Sequence, residues 1–268
     1  MFGFFTKLPV TDEDRLWVDE GFRRLSTLLG RNRMLTAHVV EPTPTDFPDP
    51  WDATPGAAQR MLRRICTFMQ VDPSLIQFEV FPDEMDDLLK LLPEHRLTNT
   101  SRAAGFYIQN PDHPDHDRHS IAIRETQLRD PLALVATIAH ELGHVLLLGS
   151  GKLSPDTPDH EPLTDLLTVF LGLGIFTANS AIRFRQYQDD RKQGWQISRL
   201  GYLPEQVFSY ALARFAFERG EAASDRQILK QKFTGTFGLF KCIAYLPGFT
   251  AYSCGLPGML GQCGDKPG

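Results

Sequence analysis

The sequence predicts an α+β fold in which a small mixed sheet packs on one apolar helix and the C-terminal half is mostly helical. Three observations carry this expectation. Short β-type runs stand at Leu75–Phe81, Ala103–Gln109 and Ser120–Glu125. An apolar run with helical spacing follows, from Leu132 to Leu148. Beyond residue 161 the apolar positions recur at helical spacing. A chain of 268 residues can build one large domain. We read a single domain over 1–268: sheet and central helix at about 71–150, a helical half at about 161–246, and a Gly/Pro-rich tail at 247–268.

Taken in order, Thr11–Leu29 reads as a helix. Thr11 with Asp14 resembles a capping box, and Leu16, Trp17, Phe22, Leu25 and Leu28 form an apolar stripe. Met34–Val40 reads as a short strand. Prolines at 42, 44, 48, 50 and 55 make Glu41–Pro55 an extended connector. Ala57–Met69 is a helix with basic residues outward, and Met85–Leu92 a short helix stopped by Pro93. Residues 110–119 carry His113, His116 and His119 at a three-residue interval. Their Asn, Asp and Pro neighbours favour a solvated hairpin loop over a second metal site. Leu166 to about Gln186 reads as one long helix, followed by helices at Pro204–Arg219, Ala222–Phe233 and Phe237–Tyr245.

The central helix carries the chemistry. Residues 140–144 read His-Glu-Leu-Gly-His. His140 and His144 are four apart, so on a helix they share one face. Two imidazoles so placed can hold one Zn²⁺, and Glu141 beside the first can reach a metal-bound water as general base. A catalytic zinc needs a third protein ligand and an open position. After 16 residues comes Glu161-Pro162-Leu163-Thr164-Asp165. Pro162 suits the first turn of a new helix. Glu161 and Asp165 then share a face, Glu161 as third ligand and Asp165 accepting the free N–H of a ligand histidine. His160, next to Glu161, is the rival third ligand.

These residues resemble the gluzincin group of zinc metallopeptidases, which pairs His-Glu-x-x-His on one helix with Glu-x-x-x-Asp on a second. The match covers Ile138–Asp165. The resemblance implies a zincin-like fold and one Zn²⁺ per chain held by His140, His144 and Glu161. It implies Glu141 as general base and proton donor to the leaving amine, with Asp165 orienting the first histidine. It also implies a sheet edge lining the substrate cleft, for which Ser120–Glu125 stands just before the helix. Members usually add a Tyr, His or Arg that stabilises the oxyanion. Here the candidates are Arg183, Arg185, Tyr187, Tyr202 and Tyr210.

The expected function is therefore a zinc-dependent hydrolase, a peptidase acting on a peptide or protein substrate. The alternatives are a non-catalytic or regulatory zinc-binding protein, or a hydrolase of non-peptide amides. Composition narrows the partners. Apolar residues make up 42% and charged residues 23%, as in ordinary globular chains. The net charge of −5 comes without a basic stripe, which argues against nucleic acid. The longest apolar stretch, Leu163–Ala178, is shorter than the ~20 residues a membrane span needs. It reads instead as a buried helix, and no membrane partner is expected. Met1–Phe5 lacks the plan of a signal peptide. Cys66, Cys242, Cys254 and Cys263 form no Cys-x-x-Cys pair, so reduced thiols and a cytoplasmic location are expected.

Overall fold

The computed structural model describes residues 10–82, 105–109, 118–188 and 203–220. The expected helices at Met85–Leu92, Ala222–Phe233 and Phe237–Tyr245, the tail, His113 and His116 lie outside them. Among the described residues the fold is mixed α+β and mostly helical, with one small sheet.

The first helix, α1 (Asp12–Leu29), begins where Thr11 Oγ1 accepts the Asp14 amide at 3.0 Å and its hydroxyl donates to the Asp14 carboxylate at 2.8 Å. It buries Val18, Phe22 and Leu25. The expected strand at Met34–Val40 is not formed. Arg31–Leu35 is a short helix, α2, and the chain beyond it is irregular. The cause is distant in sequence. The Arg219 guanidinium donates to the carbonyls of Met34, Leu35 and Ala37 at 2.8, 3.1 and 2.8 Å, satisfying acceptors that a sheet would otherwise use. The proline-rich connector leads to α3 (Pro55–Met69). Thr54 caps that helix and Pro55 occupies its first turn.

Strands β1 (Ile76–Phe81), β2 (Gly105–Gln109) and β3 (His119–Arg124) form one sheet in the order β1-β3-β2. β1 pairs parallel to β3 with Phe78 opposite Ile121, and β2 pairs antiparallel with Tyr107 opposite Ile121. The expectation that Ser120–Glu125 is the edge is thereby corrected. β3 is the central strand, and β2 is an edge among the described residues. Alternation correctly marks Ile121 and Ile123 as the buried face. Alternation reports which face is buried, however, and says nothing of how many neighbours a strand has.

The central helix is α4 (Pro131–His144), with Asp130 accepting the amides of Leu132 and Ala133. It continues as one π-helical turn, Val145–Gly149. Pro131–Gly149 is long and apolar enough to cross a bilayer by composition, yet 72% of that apolar window is buried inside the fold. α4 packs against α3, β2 and the next two helices, α5 (His160–Phe170) and α6 (Gly174–Gln188).

The single helix expected from Leu166 to Gln186 is in fact these two. Leu163–Ala178 is buried throughout, as expected, but the chain turns inside it. Gly172 adopts φ +87°, Leu173 N–H bonds Thr168 O at 2.8 Å, and Gly172 N–H bonds Val169 O at 3.0 Å. This is a Schellman stop. It is secured from outside, because Val40 N–H donates to the Gly172 carbonyl at 3.0 Å. A Cβ at Gly172 would collide with the His38 carbonyl. The last described helix, α7 (Glu205–Glu218), packs on α1, α5 and α6.

Candidate metal centre

Two helices build the site. α4 presents His140 and His144 one turn apart, and α5 brings Glu161 from its first turn and Asp165 from its second. Nε2 of His144 lies 3.1 Å from Nε2 of His140 and 3.4 Å from Oε2 of Glu161. Nε2 of His140 lies 3.1 Å from the same Glu161 oxygen. One ligand atom from each of His140, His144 and Glu161 thus falls within 4.8 Å of the others. The close approach of the helices is made at Gly143. A Cβ there would stand 2.7 Å from Thr164 Cγ2.

Protons can be assigned by asking which atoms only accept. Asp165 Oδ1 sits 2.9 Å from His140 Nδ1, and Glu161 Oε2 faces His140 Nε2. With both ring nitrogens facing carboxylates, the metal-free protein favours protonated His140, whose Nε2 proton is released when metal binds. Burial opposes this, but the bonds to Asp165 and Glu161 raise its pKa well above the ordinary histidine value. His144 is driven the other way. Burial, with His140 and His160 nearby, lowers it to about 4, the neutral form that binds metal. Glu161 is partly buried, yet its bonds with His140 and His160 outweigh that burial and hold its carboxyl far below the ordinary range. The donor set of two imidazoles and an ionised carboxylate, each backed by further polar groups, fits zinc.

Asp165 is fully buried and uses both oxygens. Oδ1 faces His140, and Oδ2 accepts the Leu203 backbone amide at 2.9 Å. It therefore orients and does not join the three converging donors. His160 does not join them either. Its Nδ1 lies 2.8 Å from the Thr157 carbonyl and its Nε2 3.3 Å from Glu161 Oε1, the oxygen turned away from the other histidines.

Glu141 is 5% exposed, and among the described residues its Oε2 has no hydrogen-bond partner. Burial raises its pKa to about 7; the Glu161 charge adds to this, and His140 and the Tyr107 backbone amide oppose it. A carboxyl poised near neutrality can both take and give a proton. β2 crosses α4 at this point: a Cβ on Gly105 would meet Thr137 and Glu141 side chains.

Of the oxyanion candidates, Tyr202 lies outside the described residues, and so do the side chains of Arg183, Arg185 and Tyr187 on α6. Tyr210 is described, and its hydroxyl donates to Asp19 of α1 at 3.1 Å. Its ring belongs to the α1–α7 contact. That engagement argues against its serving as the oxyanion donor.

Three groups at the site escaped the sequence reading. Tyr107 of β2 lies alongside the His144 ring, centroids 6.0 Å apart at 22°. His119, expected in a solvated loop, is instead a buried residue of β3, its Nδ1 3.3 Å from the Tyr107 hydroxyl. Thr164 Oγ1 lies 3.5 Å from His144 Nδ1. His119 was legible as part of a histidine-rich segment and Thr164 as a hydroxyl residue next to Asp165, whereas Tyr107 left no signal. Comparison with protein-family models, with curated proteins and with solved structures found no match.

Proposed function

We propose that this protein is a zinc-dependent hydrolase of the gluzincin type, with peptides as its substrates. The observation that carries the reading is the convergence of His140, His144 and Glu161 within 4.8 Å, beside a buried Glu141 whose Oε2 is unpartnered among the described residues. A purely structural zinc site has no use for that fourth group. Bound zinc supplies a Lewis acid that acidifies water and polarises a carbonyl.

The chain's own residues do the rest. Glu141 takes a proton from the attacking water and passes it to the departing nitrogen. Its pKa near 7 suits both halves of that transfer. Asp165 and the Leu203 amide hold His140 in place. The substrate class rests on β2, which pairs with β3 on one side and crosses α4 at Glu141. A strand so placed is a template for an extended peptide.

The test begins with elemental analysis of protein purified without chelator, which should show about one zinc per chain. Wild-type protein should then cleave members of a broad peptide library, and Glu141→Gln should cut at least ~10²-fold more slowly with zinc retained. A metal-free wild-type protein overturns the reading. So does a zinc-loaded one that cleaves nothing, which points to a regulatory zinc protein.

A further inference from the structure

His140 has Asp165 to fix its tautomer, and His144 needs an equivalent. We propose that Thr164 is that group: a positioning residue whose hydroxyl oxygen accepts Nδ1–H of His144 and so turns the bare Nε2 toward Glu161 and His140. The inference rests on the zinc reading above.

The direction of the bond follows from counting protons. A threonine hydroxyl has one hydrogen. Thr164 Oγ1 lies 2.8 Å from the His160 carbonyl, which can only accept, so the hydrogen is committed there. Only lone pairs remain to face His144 Nδ1 at 3.5 Å. The imidazole is then the donor in this contact, with its proton on Nδ1, and its bare Nε2 accepts from His140 Nε2–H at 3.1 Å. Thr164 has no exposed surface, so water cannot stand in for it. Its place is set from two sides. The absence of a side chain at Gly143 admits the Thr164 methyl. On the other side of the contact, Tyr107 lies alongside the His144 ring and limits its rotation. Consecutive residues of α5, Thr164 and Asp165, would thus serve the two histidines of α4 separately. Metal-binding histidines commonly donate their second ring N–H in this way, and losing the acceptor weakens metal binding ~10–100-fold.

Thr164→Val keeps the shape and removes the hydroxyl; Thr164→Ser keeps the hydroxyl and removes the methyl. Thr164→Ala is a second hydroxyl-free variant should valine not fold. Two readouts are needed on the full chain. In metal-free protein labelled with ¹⁵N-histidine, long-range ¹H–¹⁵N spectra should show the Nδ1–H tautomer of His144 in wild type and serine variant. That tautomer should be lost in the valine and alanine variants. Competition with a chromophoric chelator should show zinc bound ~10–100-fold more weakly by the hydroxyl-free variants, and near wild-type affinity for serine. An unchanged tautomer without the hydroxyl overturns the proposal. A serine variant as weak as valine also overturns it, since the methyl packing under Gly143 would then be responsible. If wild-type protein binds no zinc, the hydrolase reading fails while the tautomer measurement still decides the role of Thr164.

Discussion

Glu141→Gln should make the metal-free protein more stable at neutral and alkaline pH. Glu141 is 5% exposed, and burial raises its pKa from the ordinary 4.5 to about 7. The folded state therefore holds this proton more tightly than the unfolded state. Below pH 4.5 both states are protonated and the residue imposes no electrostatic penalty. Between 4.5 and 7 the folded state binds more protons, so stability falls as pH rises through that window. Above it the full penalty stands, at most about 3 kcal/mol for a shift of this size. Glutamine has the same shape and no charge to bury. Urea unfolding of chelator-treated wild type and variant, at several pH values from weakly acidic to alkaline, measures the difference. The variant's advantage should grow with pH by up to ~3 kcal/mol. Because glutamine buries an amide of its own, the pH dependence is the diagnostic quantity, not the offset. Parallel pH profiles would refute the argument, because Glu141 would then not be the buried carboxyl described. Adding zinc should narrow the difference, since a nearby cation favours the carboxylate.

Asp165→Ala should weaken zinc binding ~10–100-fold. It should also lower stability by ~1–3 kcal/mol, because the Leu203 amide loses its buried acceptor; chelator competition and urea unfolding measure the two. Gly143→Ala places a methyl 2.7 Å from Thr164 Cγ2. It should cost ~1–3 kcal/mol by overpacking and weaken zinc binding with it, and an unchanged Tm would show that α4 and α5 are farther apart. Tyr210→Phe should leave any hydrolysis at the wild-type rate and remove the bond to Asp19, a loss of ~1 kcal/mol. A fall in rate without a fall in stability would return Tyr210 to the oxyanion candidates.

The spacing of His140 and His144 was legible because a helix converts a four-residue interval into one face, with no knowledge of the rest of the fold. The same holds for Glu161 and Asp165, and for the cap at Thr11. Each of these relations is local. The misread elements depend on distant partners. Where a strand was expected from Met34, the carbonyls of Met34, Leu35 and Ala37 meet Arg219 of a distant segment. The apolar run through Leu163–Ala178 breaks at Gly172 because α5 ends there in a Schellman turn that Val40 secures. A buried helix and a buried helical hairpin have the same apolar composition, so hydrophobicity could not separate them.

Residue identity and short-range periodicity determined the chemistry available to this protein: which atoms can bind metal, which carboxylate lies next to them, and which segments are apolar enough to be buried. Folding settled how those atoms are used. It moved β3 to the middle of the sheet and laid β2 across Glu141. It shut Glu141 away from water, and so changed its pKa. It brought a backbone amide from Leu203 to Asp165 and a hydroxyl from Thr164 to His144. The division has one physical cause. Covalent geometry sets what neighbours along the chain can share, whereas burial and hydrogen-bond partners depend on segments that meet only after folding.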